Sequence, residues 1–144
     1  MKQDPPKYDR ATTCRKDFFA NTLPDKINRK GEKIYHCAYC GRKLKKNTLE
    51  VDHIIPVDAV KNHYLPRLYI KLFGLKSINS PKNLTASCHR CNAKKSKKRG
   101  FWIVRGYLGK HKSFWITVRV LFFIFVVGIF LYCEKAQVFH LTIT

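Results

Sequence analysis

The chain has 144 residues, a length typical of one domain and too short for two domains of ordinary size. Its 29 lysine and arginine residues outnumber its 9 aspartate and glutamate residues, which gives a formal net charge of +20 at pH 7. Such a charge exceeds what solubility requires and indicates a polyanionic partner, either nucleic acid or the anionic face of a membrane.

Residues 1–33 are predicted to form a basic N-terminal arm. The arm is polar and interrupted by prolines, and Phe18-Phe19 is the small apolar cluster that anchors it, with one short helix expected. Because residues 1–8 are not apolar, we expect no secretory signal and a reducing compartment. The arm either lies along a phosphate backbone or is a loosely packed extension, and we assign it no chemistry.

A zinc-binding module is predicted over residues 34–100. It begins with a short strand, Ile34-Tyr35-His36, that leads into Cys37-Ala38-Tyr39-Cys40. Gly41 permits the tight turn that a zinc knuckle requires. A basic hairpin turn over residues 42–47 then leads to the next strand, so this stretch supplies one half of the expected metal site.

The stretch Leu49-Glu50-Val51-Asp52-His53-Ile54-Ile55-Pro56 is rich in β-branched residues and predicts a strand that ends at the proline. The strand carries the Asp52-His53 pair to its end. Apolar residues at i, i+3, i+4 and i+7 from Leu65 to Leu72 then predict an amphipathic helix that packs against the module and stops at Gly74.

A second short strand is predicted before Cys88-His89-Arg90-Cys91, where a helix begins that continues to Gly100. Two strands and a helix make a ββα unit. Two Cys-x-x-Cys pairs suit one closed tetrahedral zinc site, and a module this small needs such a metal because it cannot bury a large core. The other two cysteines, Cys14 and Cys133, are expected to be ordinary thiols.

The C-terminal third is predicted to contain a basic aromatic linker over residues 101–113, a hydrophobic helix over 114–133 and a short tail over 134–144. The helix fits a single transmembrane span if Arg119, its only charge, extends to the membrane interface. The basic excess on the N-terminal side then places the zinc module in the cytoplasm. The alternative is a buried helix or strand pair in a soluble cytoplasmic domain. The predicted fold class is α+β, a small zinc-stapled ββα module with an added helix, followed by this hydrophobic helix.

Four motifs follow one another along the chain: Cys37-x-x-Cys40, Asp52-His53-Ile54-Ile55-Pro56, Asn83-Leu84 and Cys88-x-x-Cys91-Asn92-x-x-Lys95. In this order they resemble the zinc-containing branch of the HNH endonucleases, whose fold is the ββα-metal module. The resemblance covers residues 34–98. Two departures are a final Asn in place of His, and a long spacer between His53 and Asn83 that lacks the usual Gly-Gly turn.

Hydrolysis of a phosphodiester requires a base that deprotonates water and a cation that offsets charge on the phosphate. His53 is the candidate base, since an unperturbed imidazole has a pKa near ~6.5. Asp52 offers a hard carboxylate oxygen suited to Mg²⁺ or Mn²⁺. Because neighbouring side chains on a regular strand point to opposite faces, Asp52 and His53 can serve one site only if the strand end bends.

The resemblance implies roles for two asparagines. Asn92 would be the second ligand of the catalytic metal, and Asn83 would steady the loop that carries the base. Helix capping and turn formation are the alternative roles of these residues. His89 is a reserve candidate for the base or for a metal ligand.

Five basic residues near the end of the predicted helix are expected to contact phosphates without reading bases: Lys94, Lys95, Lys97, Lys98 and Arg99. The predicted function is that of a metal-dependent HNH endonuclease with structural Zn²⁺ and catalytic Mg²⁺ or Mn²⁺. Its expected substrate is double-stranded DNA, with RNA left open, as is the oligomeric state. The alternative is a zinc-ribbon nucleic-acid-binding protein without catalysis.

Overall fold

A computed structural model describes the backbone of residues 7–143 and the side chains of residues 7–134. The first six residues of the predicted arm, residue 144 and the side chains of the predicted tail after Glu134 lie outside the described residues. The chain divides into two units, Met1–Lys112 and Ser113–Thr144. The described part of the predicted arm and the predicted zinc module lie in the first unit, and the predicted hydrophobic helix over 114–133 lies in the second.

The first unit begins with helix α1 (Cys14–Asn21) and a three-stranded antiparallel sheet made of β1 (Lys26–Ile27), β2 (Lys33–His36) and β3 (Lys43–Lys45). Helix α1 buries Cys14 and Phe18 in the same apolar cluster as residues of the metal knuckle. This part of the arm is therefore packed against the module rather than loosely attached to it.

A second sheet pairs β4 (Glu50–His53) with β5 (Leu84–Ser87) in antiparallel register, so that His53 lies opposite Leu84. Helix α4 (His89–Lys95) follows β5 directly and completes the ββα unit. Helices α2 (Val57–Asn62) and α3 (Tyr64–Leu72) occupy the long connection between the two strands. The predicted fold class, a ββα module with an added helix, is confirmed.

Two elements differ from the sequence-based expectation. Helix α4 ends at Lys95 instead of continuing to Gly100, and Ser96 after it has a left-handed φ of 45°. Residues of the expected linker form helix α5 (Phe101–Gly109). A Cβ added to Gly106 of α5 would lie 2.8 Å from Ile54 Cγ2, so the absence of a side chain at Gly106 permits close packing against the segment after β4.

The second unit is part of one long helix, α6 (Lys112–Ile143). Within it, the 23-residue segment Lys112–Glu134 contains a stretch of 18 residues whose mean hydropathy is 2.5 and of which no part is buried. By length and composition this segment is able to cross a membrane.

Candidate active site

Four cysteine sulfurs form one cluster in the first unit. The Sγ atoms of Cys37, Cys40, Cys88 and Cys91 all lie within 4.8 Å of one another. Zn–S bonds of ~2.3 Å place tetrahedrally arranged sulfurs roughly 3.8 Å apart, and the Cys40 and Cys88 sulfurs are separated by 4.0 Å. The first pair lies between β2 and β3, and the second at the junction of β5 and α4. The donor set fits a metal ion such as zinc.

The electrostatics of the cluster also favour a cation. Burial raises the pKa of the Cys37 thiol to about 11. Burial and the neighbouring Cys37 raise the pKa of Cys91 as well. The Cys37 and Cys91 thiols therefore resist ionisation on their own, whereas a bound divalent cation would stabilise their thiolates. The Cys88 backbone N–H donates to Cys37 Sγ at 3.4 Å, a contact that also favours the thiolate.

Strand β4 presents its side chains alternately to opposite faces. Glu50 and Asp52 face helix α4, where they contact Asn92 and Lys95. Val51 and His53 are buried, and His53 contacts Cys14 of α1 instead. Asp52 and His53 therefore have different neighbours, although both side chains line one cavity at the end of the strand.

Asp52 is held by two side chains that contact the same carboxylate oxygen. The Tyr39 hydroxyl donates to Asp52 Oδ2 at 2.6 Å, and Lys95 Nζ lies 2.9 Å from it. Lys95 is only 1% exposed and also donates to the His53 carbonyl at 2.7 Å. Burial, followed by the charge of Asp52, raises the pKa of Tyr39, so the phenol remains a donor. Within the described residues, Asp52 Oδ1 makes no hydrogen bond.

Asn92 lies in the first turns of α4 and is oriented by Glu50. Its Nδ2 donates to Glu50 Oε2 at 2.7 Å, and His89 Nδ1 lies 2.7 Å from Glu50 Oε1. The hydrogen bond from Asn92 is the main cause of a lowered pKa at Glu50, which keeps that carboxylate ionised. Since Glu50 takes the amide nitrogen, the amide oxygen of Asn92 is left for another partner. The reserve candidate His89 has an 87% exposed side chain.

His53 is 4% exposed, and one of its ring nitrogens has defined partners. Nε2 lies 3.1 Å from Asn79 Oδ1 and 3.6 Å from Cys14 Sγ. Burial lowers the pKa of His53, and it outweighs the hydrogen bond to Asn79 and the charge of Asp52, which raise the pKa. The imidazole is therefore neutral at pH 7 and retains a nitrogen lone pair.

Asn83 is completely buried and ties together the segments that flank the β4–β5 pair. Its Oδ1 accepts the Ile55 N–H at 2.9 Å, and its Nδ2 donates to the Ile78 carbonyl at 2.8 Å. The backbone carbonyl of Asn83 accepts a hydrogen bond from the Ile54 N–H at 2.8 Å. These contacts hold the backbone that follows His53.

Asp52, His53 and Asn92 all line one cavity of about 470 Å³. Asn83 is not part of its lining. The basic residues that line this cavity are Arg10, Lys61, Lys95 and Lys97. The cavity thus combines carboxylate and amide oxygens, an imidazole and a positive surround, a set of groups that can bind a phosphate and move a proton.

The predicted phosphate-binding residues are not equivalent. Lys94, Lys97, Lys98 and Arg99 are exposed, and Lys97 Nζ lies 3.0 Å from Asp58 Oδ2. Lys95 is instead buried against Asp52, so it is not the exposed cation that the charge run predicted. Three of the exposed residues follow the end of α4, which lies at Lys95.

Several residues of the site were missed by sequence reasoning. Glu50 could have been found, because strand alternation places it on the same face as Asp52. Tyr39 lies inside the first Cys-x-x-Cys pair, but nothing in its spacing predicts a contact with Asp52. Arg10, which lines the cavity, belongs to the arm, and Asn79, which contacts His53, belongs to the long spacer; neither segment carries a sequence pattern that predicts these positions.

Comparisons with known proteins agree with the motifs. Residues 37–66 match the family model described as HNH endonuclease. The chain is 37% identical over 59 residues to the CRISPR-associated endonuclease Cas9 of Corynebacterium diphtheriae, a match that covers 41% of this chain and 4% of that protein. No solved structure matches the chain significantly. The resemblance to the HNH endonucleases is therefore confirmed, through residues 37–66 and through four clustered cysteines that fit the zinc-containing branch of that family.

Proposed function

We propose that this protein is a metal-dependent endonuclease that hydrolyses phosphodiester bonds of double-stranded DNA, with His53 as the general base. The observation that carries the proposal is that Asp52, His53 and Asn92 line one cavity. Two of these residues lie inside the segment that matches the HNH endonuclease family. The similarity to an endonuclease over 59 residues supports the same reaction class.

Asp52 and Asn92 are the proposed ligands of a catalytic Mg²⁺ or Mn²⁺. Within the described residues, neither Asp52 Oδ1 nor the Asn92 amide oxygen has a hydrogen-bond partner, so both hard oxygens are free to bind such an ion. When bound, the ion would offset negative charge on the reacting phosphate. Lys95, paired with Asp52, adds positive charge beside the same carboxylate.

Side chains of the protein supply the other functions that hydrolysis requires. The neutral His53 imidazole accepts a proton from the attacking water. Asn83 holds the backbone after His53, and basic side chains at the cavity, such as Arg10 and Lys97, attract the phosphate backbone. The zinc cluster has a structural role, since four cysteines leave no open position for water.

Replacing His53 with alanine tests the proposal. Loss of a general base slows hydrolysis by roughly 10²- to 10⁴-fold, so the variant should leave supercoiled plasmid DNA uncut in Mg²⁺ or Mn²⁺ at times when the parent has cleaved it. Zinc content should be unchanged. His63→Ala is the matched control, because His63 is exposed and does not line the cavity. Equal cleavage by the His53 variant and the parent would disprove the base assignment.

The rival function is nucleic-acid binding through the zinc module without catalysis. The net charge of +20 and the four cysteines are consistent with it, but it assigns no chemistry to the cavity that Asp52, His53 and Asn92 line. A protein of that kind would retard DNA in a gel and leave its length unchanged in every divalent metal. The same metal series on supercoiled, linear and single-stranded substrates therefore separates the two functions.

We also propose that α6 anchors the protein in a membrane, with the nuclease unit in the cytoplasm. The support is a 23-residue apolar segment and the excess of Lys and Arg on its N-terminal side. The full chain should remain in the membrane pellet after a carbonate wash, and a chain ending before Ser113 should be soluble. Recovery of the full chain in the supernatant would contradict the anchor.

A further inference from the structure

Asn79 lies outside every motif of the chain, yet it joins the N-terminal arm to the candidate base. Its Oδ1 accepts the Ala11 backbone N–H at 3.1 Å, and its Nδ2 donates to the Asp9 carbonyl at 2.6 Å. A backbone N–H can only donate and a carbonyl can only accept. These two partners therefore determine which end of the Asn79 amide is oxygen.

This orientation determines the proton position on His53. Asn79 Oδ1 lies 3.1 Å from His53 Nε2, and an amide oxygen can only accept, so Nε2 carries the hydrogen. In a neutral imidazole the other nitrogen, Nδ1, then holds the lone pair. Cys14 is compatible with this assignment, because its thiol lies 3.3 Å from the same Oδ1 and donates to it.

We propose that Asn79 is the positioning residue of the base: it holds the His53 ring by Nε2 and leaves Nδ1 free to accept the proton from water. This role rests on the proposed nuclease function. Among the described residues, His53 Nδ1 has no hydrogen-bond partner, and His53 lines the cavity with Asp52 and Asn92. Because Asn79 also holds residues 9 and 11, the arm supports the geometry of the site.

Ring-nitrogen NMR tests the contact without any need for turnover. The full chain would be labelled with ¹⁵N-histidine, loaded with zinc and held in detergent micelles, and the His53 signals would be identified from their loss in His53→Gln. We expect a protonated-type shift at Nε2 and a lone-pair-type shift at Nδ1. The opposite tautomer in the parent would overturn the proposal, whether or not any variant folds.

Kinetics test the consequence for catalysis. Asn79→Ala removes the acceptor, and misplacement of a reacting group by about 1 Å can cost roughly 10²-fold. We therefore expect kcat to fall by about that factor with little change in KM. Asn79→Asp keeps an acceptor oxygen and should recover most of the loss. Asn62→Ala is the matched control, since the Asn62 side chain is exposed and donates a hydrogen bond to the Asp58 carbonyl, away from His53.

The outcomes separate the two proposals. If the parent cleaves, His53→Ala does not, and Asn79→Ala cleaves as fast as Asn62→Ala, the positioning role is wrong and the nuclease function stands. The positioning role is also wrong if Asn79→Ala raises KM alone. If the parent fails to cleave any substrate, the nuclease function fails, and the positioning of a base for hydrolysis fails with it.

Discussion

Lys95 offers the most direct test of how the site is held together. Its ammonium group pairs with Asp52 at 2.9 Å and donates to the His53 carbonyl at 2.7 Å, while the Lys95 and Asp52 side chains are 1% and 12% exposed. Replacing Lys95 with methionine keeps the side-chain volume but leaves the carboxylate without its counterion. Breaking a buried pair from one side costs about 3 to 5 kcal/mol. This is a large share of the roughly 5 to 15 kcal/mol that stabilises a domain.

The expected result is a drop in melting temperature of about 12 °C or more, since 1 kcal/mol corresponds to roughly 4 to 8 °C in a domain of this size. Near-UV circular dichroism of the zinc-loaded full chain in detergent would follow the unfolding of the first unit. Lys98→Met is the control, because Lys98 is exposed and should change stability by less than about 0.5 kcal/mol. A Lys95 variant that melts within the error of this control would refute the buried ion pair.

Two further substitutions test the packing around the site. Asn83→Ala removes the partners of the Ile55 N–H and of the Ile78 carbonyl, and each unpaired buried group costs about 1 to 3 kcal/mol. The melting temperature should therefore fall while zinc still binds. Gly106→Ala brings a Cβ to 2.8 Å from Ile54. Overpacking costs about 1 to 3 kcal/mol and exceeds the gain of up to ~1 kcal/mol in helix propensity, so net destabilisation in the same melt is expected.

Matched controls exist for both substitutions. Asn47→Ala changes an exposed asparagine with no hydrogen bond in the described part of the chain, and it should leave the melting temperature unchanged. Gly128→Ala adds a Cβ that meets nothing within 4 Å and should cause no loss of stability. An Asn83 variant as stable as the Asn47 variant, or a Gly106 variant as stable as the Gly128 variant, would contradict the packing described above.

Local spacing explains why much of the fold was predictable. Two Cys-x-x-Cys pairs predict a shared metal because each pair places its sulfurs on one turn, and the β-branched run before Pro56 predicts strand β4. The spacing within each cysteine pair and the composition of the strand are local features of the sequence, and four cysteines suit a tetrahedral metal site.

The features that sequence reasoning missed depend on contacts between distant segments. The contact between Ala11 and Asn79 spans 68 residues, and no hydrophobic period encodes it. Lys95 belongs to a run of basic residues that is exposed elsewhere, but it lies three residues after Asn92, on the face of α4 that contacts strand β4, and it is buried there against Asp52. A charge run in the sequence does not reveal which of its members is turned towards a carboxylate.

The zinc cluster and the proposed catalytic metal are linked through Tyr39. This residue lies between Cys37 and Cys40, and its hydroxyl donates to Asp52 Oδ2 at 2.6 Å, so the knuckle that would bind zinc also orients a proposed Mg²⁺ ligand. Removing a partner that orients a metal ligand typically weakens metal affinity or activity by about 10- to 100-fold.

Tyr39→Phe should therefore raise the Mg²⁺ concentration needed for half-maximal cleavage by roughly that factor, with zinc content unchanged. Tyr35→Phe is the matched control, because Tyr35 is buried and makes no side-chain hydrogen bond within the described residues. A titration of cleavage rate against Mg²⁺ for both variants gives the comparison. If the Mg²⁺ titration curves of the two variants coincide, Asp52 either binds the metal without help from Tyr39 or does not bind it. The proposed link between the two metal sites would then be wrong.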